Sequence, residues 1–147
     1  MHQIRELSQS DLPQVIAIEN LAFSNPWPEE AFCDFMMGTA WVICDQEKVL
    51  GYIMCHNVLD ETTIVNLAIH PCHQNQGLGT ALLDYSLKEL VKRSIRYFYL
   101  DVRISNTAAQ NLYRKFGFQR LGLRRAYYTN PAEDALVMVK TVEGDTP

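Results

Sequence analysis

The sequence predicts an α+β fold in which helices flank a central sheet that is mixed but mostly antiparallel. Three patterns lead there. Residues 41–69 form β-type runs joined by short polar turns, amphipathic helical stretches follow, and each of those is succeeded by another β-type run. A strand, a crossover helix and a further strand make neighbouring strands parallel, so one parallel pair is expected inside the antiparallel frame.

Ile4 to Leu7 reads as a short strand. Ser10-Asp11-Leu12-Pro13 then supplies capping side chains and an early-turn proline for a helix carrying Leu12, Val15, Ile16 and Leu21. A second short helix is expected from Pro28. Trp41 to Cys44, Val49 to Val58 and Thr63 to Ile69 read as strands of an antiparallel meander, with turns around Gln46-Glu47-Lys48 and Asp60-Glu61. After Pro71 a polar, glycine-containing loop feeds a helix from about Leu78 to Arg93, whose Leu82, Leu83, Leu87, Leu90 and Val91 share one apolar face. Tyr97 to Val102 is the next strand. Asn106 to Phe116 reads as a helix stopped by Gly117, and strands around Gln119 to Tyr127 and Ala135 to Thr141 close the chain.

With 147 residues, 48% of them hydrophobic, and no repeat or linker, residues 1–147 are expected to form a single domain around one core. No run approaches the apolar length of a membrane span, and Met1-His2-Gln3-Ile4-Arg5 lacks the segments of a secretory signal, so a cytoplasmic protein is expected. A net charge of −4 argues against general nucleic-acid binding, which runs on phosphate neutralisation, while leaving room for a local basic site. Cys33, Cys44, Cys55 and Cys72 occur singly and read as reduced, mostly buried thiols.

The chemistry concentrates in Gln74-Asn75-Gln76-Gly77-Leu78-Gly79-Thr80-Ala81, between a strand and a long helix. Glycines there let a ligand approach the backbone, and free N–H groups at a helix start suit a pyrophosphate. A tight strand-to-helix turn would explain the same glycines. The stretch is neither a dinucleotide fingerprint, since position 82 is Leu82, nor a Walker loop, since no Gly-Lys-Ser/Thr follows. His70, Cys72 and His73 lie nearby without a fourth ligand at suitable spacing, and no metal is expected.

Gln74-x-x-Gly77-x-Gly79 resembles the Q/R-x-x-G-x-G/A signature of the GNAT acetyltransferases, and Asn106-x-x-Ala109-x-x-Leu112-Tyr113-x-x-x-Gly117-Phe118 resembles that family's later helix motif. Pro26-Trp27, Leu100-Asp101-Val102-Arg103, and Arg124-Arg125-x-Tyr127-Tyr128 followed by Glu133-Asp134-Ala135 extend the likeness to the bacterial RimI branch over nearly the whole chain. The resemblance implies a GNAT fold in which the two parallel strands splay and acetyl-coenzyme A inserts between them, its amides meeting unpaired backbone. It implies main-chain contacts from Leu67, Ala68 and Ile69 to the acetyl and pantetheine groups, a pyrophosphate cradle from Asn75, Gln76, Gly77, Leu78, Gly79 and Thr80, and a hydrogen bond from Asn106. A helix N-cap is the other reading of Asn106.

The same resemblance implies direct transfer to an N-terminal alanine of a small-subunit ribosomal protein, with Asp101 as base and Tyr113 as acid toward the leaving thiolate. The family carries glutamate where this chain has Asp101, so the carboxylate is shorter by one methylene and a water relay is expected. Alternatively Asp101 is a strand-end carboxylate capping amides or pairing with Arg103, and Tyr113 a core aromatic. Trp27, Tyr127 and Tyr128, and with them Phe32, either border the acceptor groove or pack the fold. Other termini, lysines or small-molecule amines are alternative acceptors, and an acyl-coenzyme A-binding module without strong catalysis is the reading from another class.

Overall fold

In this computed structural model the described residues are 2–23, 26–28, 30–31, 38–129 and 131–143. In chain order they form β1 (Gln3–Glu6), α1 (Leu12–Ala22), β2 (Gly38–Asp45), β3 (Lys48–Val58), β4 (Glu61–Ile69), α2 (Leu78–Lys92), β5 (Tyr97–Arg103), α3 (Thr107–Lys115), β6 (Gln119–Tyr128) and β7 (Glu133–Thr141). The strands make one seven-stranded sheet in the order β1-β2-β3-β4-β5-β7-β6. Only β4 and β5 pair in parallel, the geometry that the crossover through α2 dictates. Glu30 and Ala31 are helical, but the rest of the helix expected from Pro28, with Phe32 and Cys33, lies outside the described residues.

Strand alternation distributes the core to both faces of the sheet. Trp41 and Ile43 join Leu78, Leu82, Leu83, Leu87 and Leu90 of α2 in one cluster, whereas Val42 and Cys44 join Val15 and Ile18 of α1 in the other. Leu82, Leu83 and Leu90 are fully buried, and truncating any one of them to alanine should cost about 2–5 kcal/mol. Leu21, expected on the inner face of α1, is instead 61% exposed; the buried side of that helix is Val15, Ile18 and Glu19. Helical spacing carries that face from Val15 to Glu19 four residues on, and Leu21 falls off it. Cys44 and Cys55 are buried free thiols, Cys55 being pushed up to about 12 chiefly by burial, while Cys72 is exposed.

One irregularity matters for everything that follows. Met54 pairs with Asn66 and Cys55 with Ile64, so Val65 is an extra residue in β4 with no partner opposite. Such a bulge bends its strand and strengthens the local twist.

Candidate active site

The β4–β5 ladder runs from Glu61 opposite Tyr97 to Ile64 opposite Leu100, and there it stops. Both strands continue, β4 to Ile69 along β3 and β5 to Arg103 along β7. The bulge at Val65 sits where they part. Residues 65–69 and 101–103 therefore turn edges without a strand partner toward each other, and buried peptide groups in that position call for a polar ligand.

A cavity of about 680 Å³ opens at this gap. Of the residues singled out from sequence, its wall brings together Trp27, Leu67, Asp101, Asn106 and Tyr113, with Tyr127 and Tyr128. Ala68 faces the α1 side of the sheet and Ile69 packs on the α2 side, so any part they take in binding belongs to their main chain. Asn75 to Thr80 lie apart from the wall, on the loop that leads into α2.

That loop is built for exposed amides. Asn75 (φ 62°) and Gly77 (φ 79°) are both left-handed, a pattern that turns successive N–H groups toward one concavity. Gly77 forms the N-cap, contributes its carbonyl to the amide of Ala81 at 3.0 Å, and offers no side chain to cap the first turn. No acidic residue occupies that turn, and Asn75, Gln76, Gly77 and Thr80 are exposed. The amides of Leu78, Gly79 and Thr80 thus have no side-chain cap at the positive end of a 15-residue helix, and the Leu78 side chain is anchored in the core. Gln74 donates from Nε2 to the Ile69 carbonyl at 3.3 Å and ties the loop to the end of β4. Nearby, His70 Nδ1 accepts from the Cys72 amide at 3.0 Å and its ring meets His73 edge-on.

Asp101 is three-quarters buried on β5 and accepts from Arg124 Nε at 3.0 Å. Arg103, the partner considered from sequence, turns elsewhere. It pairs with Glu133 at 3.2 Å, reaches the carbonyls of Pro131 and Thr129, and stacks 4.5 Å over Tyr128. Tyr113 lies edge-on to Phe118 at the bottom of α3, 8% exposed, and burial is the main force holding its phenol well above the usual range. A group so placed stays protonated at neutral pH and can donate. Asn106 accepts the Ala109 amide through Oδ1 at 3.1 Å, so it is an N-cap and lies on the cavity wall as well.

Tyr127 and Tyr128 are consecutive on a strand, where side chains should point to opposite faces. Here Arg124 pairs with Ala135 and Tyr128 with Glu133, so three residues of β6 oppose one of β7. Ala126 at the centre is left-handed (φ 50°), its amide held by Asp134 Oδ1 at 2.7 Å. This bulge brings both rings to the cavity, edge-on and 5.1 Å apart. Burial, then the charge of Asp101, pushes the Tyr128 phenol up to about 12.

Two wall residues escaped the reading from sequence. Glu19 is 2% exposed and accepts from Tyr52, from Asn66 Nδ2 at 2.8 Å and from the Trp27 amide at 2.9 Å. Asn66 stands beside the bulge. The available signal was the position of Glu19 four residues after Val15, on the buried stripe of α1.

The family model of the acetyltransferase (GNAT) family matches residues 1–118. The ribosomal protein bS18-alanine N-acetyltransferase of Escherichia coli is 38% identical over 143 residues, covering 94% of this chain and 96% of that protein. A crystal structure of the Escherichia coli ribosomal-protein-alanine N-acetyltransferase superposes with a TM-score of 0.94 at 36% identity, covering 99% of this chain and 97% of the other. A GNAT family acetyltransferase from Elizabethkingia anophelis, solved with acetyl-coenzyme A bound, shares the fold at 18% identity and a TM-score of 0.83, covering 96% of this chain and 98% of its own.

Proposed function

The chain belongs to the GNAT acetyltransferase family, and we propose that it transfers the acetyl group of acetyl-coenzyme A to the N-terminal alanine of a small-subunit ribosomal protein. The observation that carries this reading is the end of the β4–β5 ladder at Ile64 and Leu100, with Asp101 and Tyr113 on the wall of the opening. We read residues 1–147 as one acetyltransferase domain, since a single sheet takes in all seven strands of the described residues. No helix of the described residues is long and apolar enough to cross a membrane; the proposed acceptor puts the enzyme in the cytoplasm.

The residues fit the cosubstrate. Main-chain groups of Leu67, Ala68 and Ile69 on the unpaired edge of β4 would hold the acetyl and pantetheine amides, and the amides of Asn75 to Thr80 would hold the pyrophosphate. Asn106 would add its side-chain amide nitrogen, because its oxygen already caps α3. When bound, acetyl-coenzyme A supplies an activated acyl carbon.

An α-amino group titrates near ~8, so a carboxylate acting through one water suffices to deprotonate it at cellular pH. Asp101 is assigned that base. Tyr113, protonated and shielded from solvent, is assigned the proton that the departing thiolate takes up. Trp27, Tyr127 and Tyr128 would border the acceptor's first residues.

The test is intact-peptide mass spectrometry on acetyl-coenzyme A, the protein and a panel of peptides and free amines. A gain of one acetyl group on the α-nitrogen of Ala-initiated ribosomal peptides is expected, with fragment ions fixing the position. Acetylation confined to lysine side chains or small amines, or coenzyme binding with no acceptor-dependent thiol release, would overturn the reading.

A further inference from the structure

Of the charged groups on the cavity wall, Glu19 and Arg103 have no part in the mechanism above, and only Glu19 lacks an opposite charge beside it among the described residues. Asp101 is paired with Arg124 and Arg103 with Glu133. Glu19 has no cation beside it among the described residues, although it is 2% exposed on the wall of an open cavity. Its neighbours are neutral: the Tyr52 hydroxyl and Asn66 Nδ2 on Oε1, and the Trp27 amide on Oε2.

Every one of these bonds is accepted by Glu19, as an ionised carboxylate requires. Tyr52 remains a donor to it, because burial and then Glu19 itself hold the phenol far above its usual range. A carboxylate offers about four lone-pair positions. Three are filled, and the fourth is on Oε2, the oxygen that also accepts from the Trp27 amide. A buried anion compensated only by neutral donors is an electrostatic well for a cation that enters the cavity.

The acceptor brings one. A free α-amino group is mostly protonated at neutral pH, so it reaches the cavity as an ammonium. Resting on the acetyl-transfer reading, we infer that Glu19 is the binding residue for the ammonium of the acceptor's N-terminus, which it holds before Asp101 takes the proton. The arrangement suits one ammonium better than a metal ion, since no group of three metal-ligating side chains occurs among the described residues. It also gives selectivity for a free chain terminus, because the same peptide with a blocked or missing amine has no charged donor to offer Oε2.

The experiment compares two peptides by calorimetry with coenzyme A present: an Ala-initiated acceptor peptide and its analogue in which the α-amine is replaced by hydrogen. Wild-type protein should bind the amine peptide roughly 10- to 100-fold more tightly, the range of one hydrogen bond between charged partners. In Glu19→Gln that ratio should fall to near one while the affinity of the des-amino peptide stays unchanged. If the substitution weakens both peptides alike, Glu19 only props the loop at Trp27 and the inference fails; it fails equally if the ratio persists.

Should Glu19→Gln not fold, the wild-type protein still decides the matter. Binding of the amine peptide near pH 8, followed in buffers of different ionisation enthalpy, should take up protons if the amine is held as an ammonium, and release of protons would overturn the inference. Acetylation of the same peptide by the wild-type protein separates the two readings. Transfer without Glu19-dependent discrimination sinks this inference alone, whereas a wild-type protein that neither binds nor acetylates the peptide sinks both.

Discussion

Arg124 reaches past β7 from the sheet edge to hold Asp101, Nε to Oδ1 at 3.0 Å. Arg124 pairs with Ala135 and Asp101 with Val137, so the two side chains share a face of the sheet although 23 residues separate them. The ion pair fixes where the carboxylate points, and it lies beside the tyrosines of the proposed acceptor groove. Asp101→Asn is therefore expected to lower kcat by about 10²–10⁴-fold, the usual contribution of a positioned base, with unchanged melting temperature. Arg124→Gln should have a smaller effect, and Asp101→Glu should retain turnover. Initial rates at saturating acetyl-coenzyme A test all three, and near-normal kcat in Asp101→Asn would remove the assignment.

Tyr113 is buried against Phe118 and lines the cavity. A phenol placed only for packing would lose almost nothing on conversion to Phe. Tyr113→Phe is instead expected to cut turnover by roughly 10²-fold, as loss of one proton donor does, while thermal unfolding and acetyl-coenzyme A affinity stay near wild type. Unchanged turnover would return Tyr113 to the core.

The two loop glycines should answer differently to alanine. Gly77 is left-handed at φ 79°, where a Cβ costs roughly 1–2 kcal/mol even though nothing lies within 4 Å of it. Gly79 is helical, and a Cβ added there would meet Ile69 at 3.8 Å and Leu112 at 3.9 Å, which is ordinary contact. Gly77→Ala should lower the melting temperature and weaken coenzyme A binding together, because relaxing the strain rotates the amides away. Gly79→Ala should leave stability intact or slightly raised, alanine being the better helix former by about 1 kcal/mol. Calorimetry and melting curves on the two variants check the contrast.

What could be read from the sequence was what depends on local period. The meander, α2 with its leucine stripe and the glycine loop ahead of it follow from spacing alone, and their bounds differ by a few residues at most. Leu21 went wrong because hydrophobicity was read residue by residue, whereas the buried stripe of α1 continues through a carboxylate, Glu19. The two bulges were out of reach for a related reason. One extra residue at Val65 and two around Ala126 break the alternation that any reading of strands assumes, and those breaks open the cavity and swing both tyrosines onto it. The partner of Asp101 was hidden too: Arg103, two residues away, is the obvious cation, but Glu133 claims it.

Acid stability offers the last test, at a place remote from the cavity. Asp11 is 4% exposed and takes both guanidinium nitrogens of Arg5, at 2.7 and 2.8 Å, together with the Ser8 amide at 2.8 Å. The Arg5 bonds lead in holding its carboxyl below the ordinary 3.8, against the opposing effect of burial. A carboxyl whose folded value is depressed binds more protons unfolded than folded in the window between the two, so stability falls there as pH falls. The contribution is complete above the unfolded value, near pH 4 and upward, and disappears as acid titrates the folded carboxylate. Wild-type protein should thus lose stability on going from pH 5 to pH 3 more steeply than Asp11→Asn, which is less stable at neutral pH because Arg5 loses its charged partner. Urea melts of the two proteins between pH 3 and pH 7 test this, and parallel curves throughout would show that the Arg5–Asp11 pair has no part in acid unfolding.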